Sequence, residues 1–407
     1  MADDPVTFAH ERFGPRARGL PLKEGSVDFS DTAGVQQILA LIGDAPLPPV
    51  ESTAAEPFVG ITSDGVPVPG LFRIADEGFD PQPATKAARA YLDISPETER
   101  IKAVSPISSA NWRLWSNAFP TFPEHGVRLA DLTTSRRESA LDIMRQSLSA
   151  VGYRRLRGAM VLNRELGQYL NAYRDSLTEW CYWFTLFGEP SIEEPWGWQL
   201  AGHHIDVHCL ILGEQLVLTP TFLGAEFRSD EIFIENRCNA LEFINSLSPS
   251  QQRRAVLYDS MSTGSLPQHL SGVVDGRHRG GAGRDNAVLP YEGLRADGLS
   301  AGQRELLVSL VESHLDLLPA GSLAARRHQI EQQLDQGWFC WIGAISSDEP
   351  FYYRVHSPVV LVEYDNHSGI FIDNDSPEPF HVHTIVRTPN GGDYGKNLLA
   401  QHYALHH

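Results

Sequence analysis

Two short segments carry histidines at spacings suited to metal chemistry: His203-His204-Ile205-Asp206-Val207-His208 and His381-Val382-His383-Thr384-Ile385-Val386-Arg387. Both read as strands, in which successive side chains point to opposite faces. On that reading His204, Asp206 and His208 share the polar face of the first segment, and His203 shares the other with Ile205, Val207 and Cys209. In the second, His381, His383, Ile385 and Arg387 share a face. A His-x-His pair on a strand offers two imidazoles to one ion, and imidazole serves zinc, iron and copper alike. The expected ligands are therefore His204, His381 and His383, with His203 and His402 as possible additions. His356, His367, His406 and His407 read instead as hydrogen-bonded structural residues.

Between the two segments lies Val359-Val360-Leu361-Val362-Glu363-Tyr364-Asp365-Asn366, an apolar strand that ends in carboxylates. Glu363 and Asp365 share a face, where they could complete a ligand set or act as a general base. Arg354 and Arg387 stand in apolar strand sequence, where a guanidinium needs a carboxylate. That partner is either internal, Glu363 or Asp393, or the acid group of a substrate. Arg387 follows His383 by four residues on the same face, about 13 Å along an ideal strand, a gap that a small substrate and the long arginine side chain could span together. Trp198 and Tyr353 are candidates for the wall of a substrate pocket, with core packing as the alternative.

The elements that must position these groups fall in blocks. Residues 1–85, rich in Pro, Gly and Asp, read as an arm that wraps a main domain of residues 86–407. Within that domain the pattern predicts helices over 93–175, strands over 180–225, helices over 233–335, strands over 337–388 and a C-terminal helix over 393–405. Ser95, Thr133, Ser248 and Ser300 each precede a helical run and can cap it. Ile211 to Leu218 reads as a hairpin turning at Gly213-Glu214. Residues 271–286, with Arg277, His278, Arg279 and several glycines, read as an exposed loop. Helices and strands in separate blocks favour an α+β fold: an antiparallel-rich sheet core carrying the His-rich strands, packed by helical segments.

Composition removes several function classes. With 51 acids against 33 bases the net charge is −18, which opposes a phosphate backbone or an anionic membrane surface. No run reaches the roughly 18 apolar residues of a membrane span. The acidic start, Met1-Ala2-Asp3-Asp4, is not followed by an apolar run and does not read as a secretory signal. Cys181, Cys209, Cys238 and Cys340 are widely spaced among apolar neighbours, so they read as buried thiols of a cytoplasmic protein.

Several motifs then fall into a known order. Phe187-Gly188-Glu189-Pro190, Trp196-Gly197-Trp198-Gln199, Gly202-His203-His204, Thr219-Pro220-Thr221-Phe222-Leu223-Gly224 and Phe351-Tyr352-Tyr353-Arg354 come first. Glu363-Tyr364-Asp365-Asn366, His381-Val382-His383, Asp393-Tyr394-Gly395 and His402-Tyr403 follow. From about residue 55 to its end the chain resembles the uncharacterised domain-of-unknown-function family 3500. The family pattern carries the paired histidines after the glycine, the His-x-His and the late His-Tyr, but not Asp206 or His208. It implies a shared site and names no activity. The residues themselves suggest a metal-dependent enzyme acting on a small polar molecule, such as one bearing a carboxylate, through metal-activated water. The alternatives are a non-haem iron or copper oxidoreductase and a non-catalytic ligand- or metal-binding protein.

Overall fold

The computed structural model describes residues 49–406, apart from 120–123, 171–174, 227, 273–275 and 370–375. The expectations for the acidic N-terminus, for most of the arm and for His407 lie outside the described residues. The helices are α1 (Val50–Ala55), α2 (Pro81–Ile94), α3 (Glu97–Ala103), α4 (Thr134–Ser147), α5 (Ala150–Leu170), α6 (Asp230–Ser246), α7 (Pro249–Ala255), α8 (Ala301–Glu312), α9 (Ala320–Gln332) and α10 (Lys396–His406). The boundary expected at residue 85 falls inside α2. Asp80 caps that helix by accepting from the Gln82 N–H, and prolines occupy its first turn, where their missing N–H costs nothing. None of the described helices is long and apolar enough to cross a membrane.

Three of the anticipated caps form. The Thr133 side chain caps α4, and Ser248 and Ser300 make reciprocal capping boxes with Gln251 and Gln303 at α7 and α8. Ser95 does not cap α3. Its hydroxyl donates back to the Tyr91 carbonyl, 2.7 Å away, at the end of α2. Of the cysteines, Cys238 lies exposed on α6 and not in the core; the other three are buried, and all four are free thiols.

Thirteen strands form one sheet among the described residues, and the fold is α+β. They are β1 (Val104–Ser105), β2 (Val127–Arg128), β3 (Tyr182–Phe187), β4 (Trp196–Gly202), β5 (Ile205–Leu212), β6 (Gln215–Val217), β7 (Thr221–Ala225), β8 (Val256–Tyr258), β9 (Leu294–Arg295), β10 (Trp338–Gly343), β11 (Phe351–His356), β12 (Leu361–Asn366) and β13 (Val382–Arg387). The main path runs β1-β3-β4-β5-β7-β13-β12-β11-β10-β8. Its pairings are antiparallel except β1 with β3 and β8 with β10. β5 and β6 turn at Gly213-Glu214, where Gly213 takes the positive φ of 56° that the tight turn needs. The two strand blocks of the sequence meet at the β7–β13 pair, where Gly224 stands opposite His383.

The register divides the sheet into unlike faces, because residues paired across strands point the same way. Trp198, Val207, Leu223, Thr384, Tyr364 and Tyr353 lie on one face. Helices cover it: the Trp198 indole donates to Ser147 of α4, and the Tyr353 hydroxyl meets His314, just beyond α8. Gln199, His208, Asp206, Phe222, His383, Ile385, Glu363, Asp365 and Arg354 lie on the other face, all buried. Irregular chain covers this polar side. Residues 276–286 of the segment 271–286, expected as an exposed loop, are part of that cover. Arg277, His278, Gly280 and Asp285 in it are buried, because its charges find partners on the sheet.

Candidate metal centre

His203-His204 does not continue a strand. Gly202 pairs with Ile205, so the two histidines form the tight turn between β4 and β5. His204 has a φ of +65°, a conformation that costs a non-glycine residue of order 1–3 kcal/mol and that clusters at functional sites. Its carbonyl accepts from the Gly224 N–H at 2.8 Å, which fixes the turn over β7. His383 projects from β13 directly across from Gly224, and His381 precedes the strand by one residue. A Cβ on Gly224 would stand 2.9 Å from His383 Cδ2 and 3.1 Å from His204 Cδ2. The missing side chain is the space in which the two rings meet.

The result is a buried trio. One ring nitrogen from each of His204, His381 and His383 lies within 4.8 Å of the others. His381 Nε2 and His383 Nε2 are 3.0 Å apart. Two nitrogens held by one ion at 2.0–2.1 Å, with an angle between about 90° and 110°, are roughly 2.9–3.4 Å apart, so the pair fits a shared ion as well as an N–H···N bond. Burial holds all three imidazoles well below their usual pKa, and the neighbouring histidines add to the effect. They are therefore neutral, the form that binds metal. His203 stacks on the His204 ring at 3.8 Å between centroids, and its Nδ1 meets Asn163 Oδ1 at 2.8 Å. Burial lowers its pKa to about 3, and it backs the trio from behind.

Two further histidines border the trio that the sequence did not single out. The His367 ring is 4.7 Å from His383 and 5.2 Å from His381. Its Nδ1 bonds the Ser368 carbonyl at 3.0 Å, which puts the proton there and leaves Nε2 as a buried lone pair with no hydrogen bond. A ligating imidazole uses this arrangement, with one nitrogen on a carbonyl and the other free for the ion. His278 lies 6.2 Å from His383, and neither of its ring nitrogens has a hydrogen-bond partner. The only sequence signal for either was residue type; their proximity depends on the tertiary fold.

Glu363 and Asp365, expected as general bases, are instead occupied in holding down the loop that carries His278. Asp365 takes the Arg277 guanidinium in a two-pronged pair, with Nη2 at 2.9 Å from Oδ2. Glu363 accepts from the Arg279 and Gly280 N–H groups at 2.8–3.0 Å and from the Tyr352 hydroxyl at 2.6 Å. Gly276 makes the approach possible, since a Cβ there would sit 2.2 Å from Asp365 Oδ2. His278 is thus bracketed by anchored residues.

The remaining candidates are placed elsewhere. Arg387 is fully buried, with Nε on Asp393 at 2.7 Å, Nη2 on Asp285 at 2.6 Å and Nη1 on the Gly280 carbonyl at 3.0 Å, so two internal carboxylates match its charge. Arg354 pairs with Glu292, although Glu363 is directly across from it. Trp198 and Tyr353 stand on the helix-covered face, opposite to His383. His402 meets Glu194 at 3.2 Å and is not in the trio. His208 spans Gln199 and the Pro220 carbonyl, and burial lowers it to about 3, so it is a structural residue. Asp206 is fully buried, neither carboxyl oxygen has a hydrogen-bond partner of good geometry, and burial raises it well above the usual range.

The family model described as Protein of unknown function (DUF3500) matches residues 78–396. No curated protein and no solved structure matches the chain.

Proposed function

The chain belongs to the DUF3500 family, whose description carries no activity, and we propose from its site that it is a metal-dependent enzyme acting on a small polar molecule, with His204, His381 and His383 as ligands. One observation carries this reading. A histidine in an unfavourable left-handed turn and a His-x-His from a remote strand bring three neutral imidazoles together, two of them in a space cleared by Gly224. A hydrophobic interior gains nothing from that arrangement unless the lone pairs are used. His367, its ring 4.7 Å from that of His383, stands beside the trio with a free Nε2. A bound zinc would supply a Lewis acid and lower the pKa of a coordinated water to about 7. Glu363 and Asp365 are engaged, and the unengaged polar ring beside the trio is His278, 6.2 Å from that of His383. The all-imidazole set suits iron or copper as well, which would turn the chemistry from hydrolysis to oxidation.

The test is metal content. Tag-free protein incubated with Zn(II), Fe(II) or Cu(II) and desalted should retain near one equivalent of one of them, and His204→Ala should retain almost none while still folding. His203→Ala should keep the metal and lose roughly 1–3 kcal/mol of stability with its bond to Asn163. Wild-type content below a tenth of an equivalent would return the histidines to a structural or ligand-binding role.

A further inference from the structure

A cavity apart from the histidine trio lies on the other side of the sheet. It has a volume of about 530 Å³ and lies against the helix-covered face, bordered by Thr221 and Val386. Val386 is three residues beyond His383 and points to the opposite side, so the cavity and the trio are separate. The volume is that of a small-molecule site. Leu216, Leu218, Leu315, Leu318, Val359 and Leu398 form an apolar part of its wall, and the rest is polar or charged. The outer wall is the segment Gly70–Glu77, fastened by side chains: Gln329 donates to the Leu71 carbonyl, Gln401 to the Phe72 carbonyl, and Gln215 accepts from the Ala75 N–H.

One cation in this wall, Arg326, has carboxylates near it but none at ion-pair distance. The buried arginines among the described residues, Arg113, Arg155, Arg277, Arg354 and Arg387, each meet a carboxylate, whereas Arg326 is half-buried. Arg326 of α9 lines the cavity and meets only neutral acceptors: the Val359 carbonyl at 2.6 Å, Thr388 Oγ1 at 2.9 Å and Gln329 Oε1. Glu77 is in the same wall, but its carboxylate takes Gln215 Nε2 at 2.8 Å and forms no ion pair with the guanidinium. Burial pulls Arg326 down to about 10, and the more distant Glu77 and Asp393 carboxylates offset this only in part.

We propose that this cavity is a binding site for a small carboxylic acid with an apolar body, its carboxylate paired with Arg326 and its tail against the leucines and valines of the wall. Both Nη2 hydrogens of Arg326 are taken, so a carboxylate would be held by charge and by its Nε–H or remaining Nη1–H, while the leucines and valines of the wall receive the tail. The site is independent of the metal reading.

Calorimetric titration with sodium octanoate is the direct test, with octan-1-ol and octylamine as controls of equal tail length. Octanoate should bind at least tenfold more tightly than either control. Arg326→Gln should weaken octanoate by at least tenfold and leave octan-1-ol unchanged. Because Arg326 also holds Val359 and Thr388, Leu318→Trp provides a second variant, which fills the cavity and should abolish binding with the arginine in place. His204→Ala should bind octanoate like the wild type. No octanoate binding, equal binding of all three probes, binding that survives both cavity variants, or binding lost in His204→Ala would each overturn the proposal.

Discussion

Gly224→Ala perturbs the candidate centre by one methyl group. That carbon would lie 2.9 Å from His383 Cδ2, 3.1 Å from His204 Cδ2 and 3.1 Å from the Val382 carbonyl oxygen. The oxygen belongs to a paired strand and cannot retreat, so the rings must. Overpacking of this size costs about 1–3 kcal/mol, which the fold should survive. The larger effect falls on the ion, because displacing ligand rings by a few tenths of an ångström is comparable to removing an outer-shell support, worth about 10–100-fold in affinity. With Zn(II) at 100 times the wild-type Kd, the ion stabilises the wild type by about 2.7 kcal/mol. A 100-fold weaker variant at the same concentration gains only about 0.4 kcal/mol. Urea unfolding with and without zinc measures both numbers, and competition with a chromophoric chelator gives the affinity directly. An alanine variant that is destabilised as expected but binds zinc as tightly as wild type would refute the idea that Gly224 makes room for the ligands.

Two further outcomes follow from the geometry around that centre. Arg387→Lys removes the fork that joins Asp285 and Asp393, so chemical unfolding should show a loss of about 3–5 kcal/mol with metal content unchanged; a loss under about 1 kcal/mol would contradict the structural role. His208 has a pKa of about 3 in the folded chain against 6.5 when unfolded, so below pH 6.5 the unfolded chain takes up a proton that the native one refuses. Its contribution to stability is complete above pH 6.5 and falls by about 1.4 kcal/mol per pH unit as the pH drops towards 3. In metal-free protein, His208→Gln should therefore make the stability–pH slope between about pH 6 and 4 shallower by one proton, and an identical slope would show that His208 is not held neutral.

Much of the local structure was legible in the sequence, because its causes are local. The turn at Gly213-Glu214 and the caps at Thr133, Ser248 and Ser300 depend on residues within a few positions of one another. The His-x-His spacing correctly brought His381 and His383 together. The paired histidines misled: nothing in Gly202-His203-His204-Ile205 marks a turn, since the position with positive φ is filled by histidine where glycine or asparagine is usual. The loop around Arg277 looked exposed because its partners, Asp365, Glu363 and Arg387, lie some 80 to 110 residues away. Alternation alone separated Tyr353 from Arg354 on β11, but which side faced the histidines depended on the register between β11, β12 and β13. His278 and His367 were invisible as site residues for the same reason.

Asp285 joins parts of the chain that are remote in sequence. Its two oxygens take Arg113 at 2.7 Å, Arg387 at 2.6 Å and Tyr394 at 3.0 Å, across separations of 172, 102 and 109 residues. Closures of that span come late in folding, since their entropic cost falls due before any contact repays it. Contacts that form after the rate-limiting step do little to speed folding, but they must break before the chain can open, so they slow the escape from the native state. The cover over the polar face therefore acts as a kinetic lock. An ion held behind it would exchange at the pace of the lock's opening, and a chelator would strip it over hours in a protein whose equilibrium affinity is ordinary.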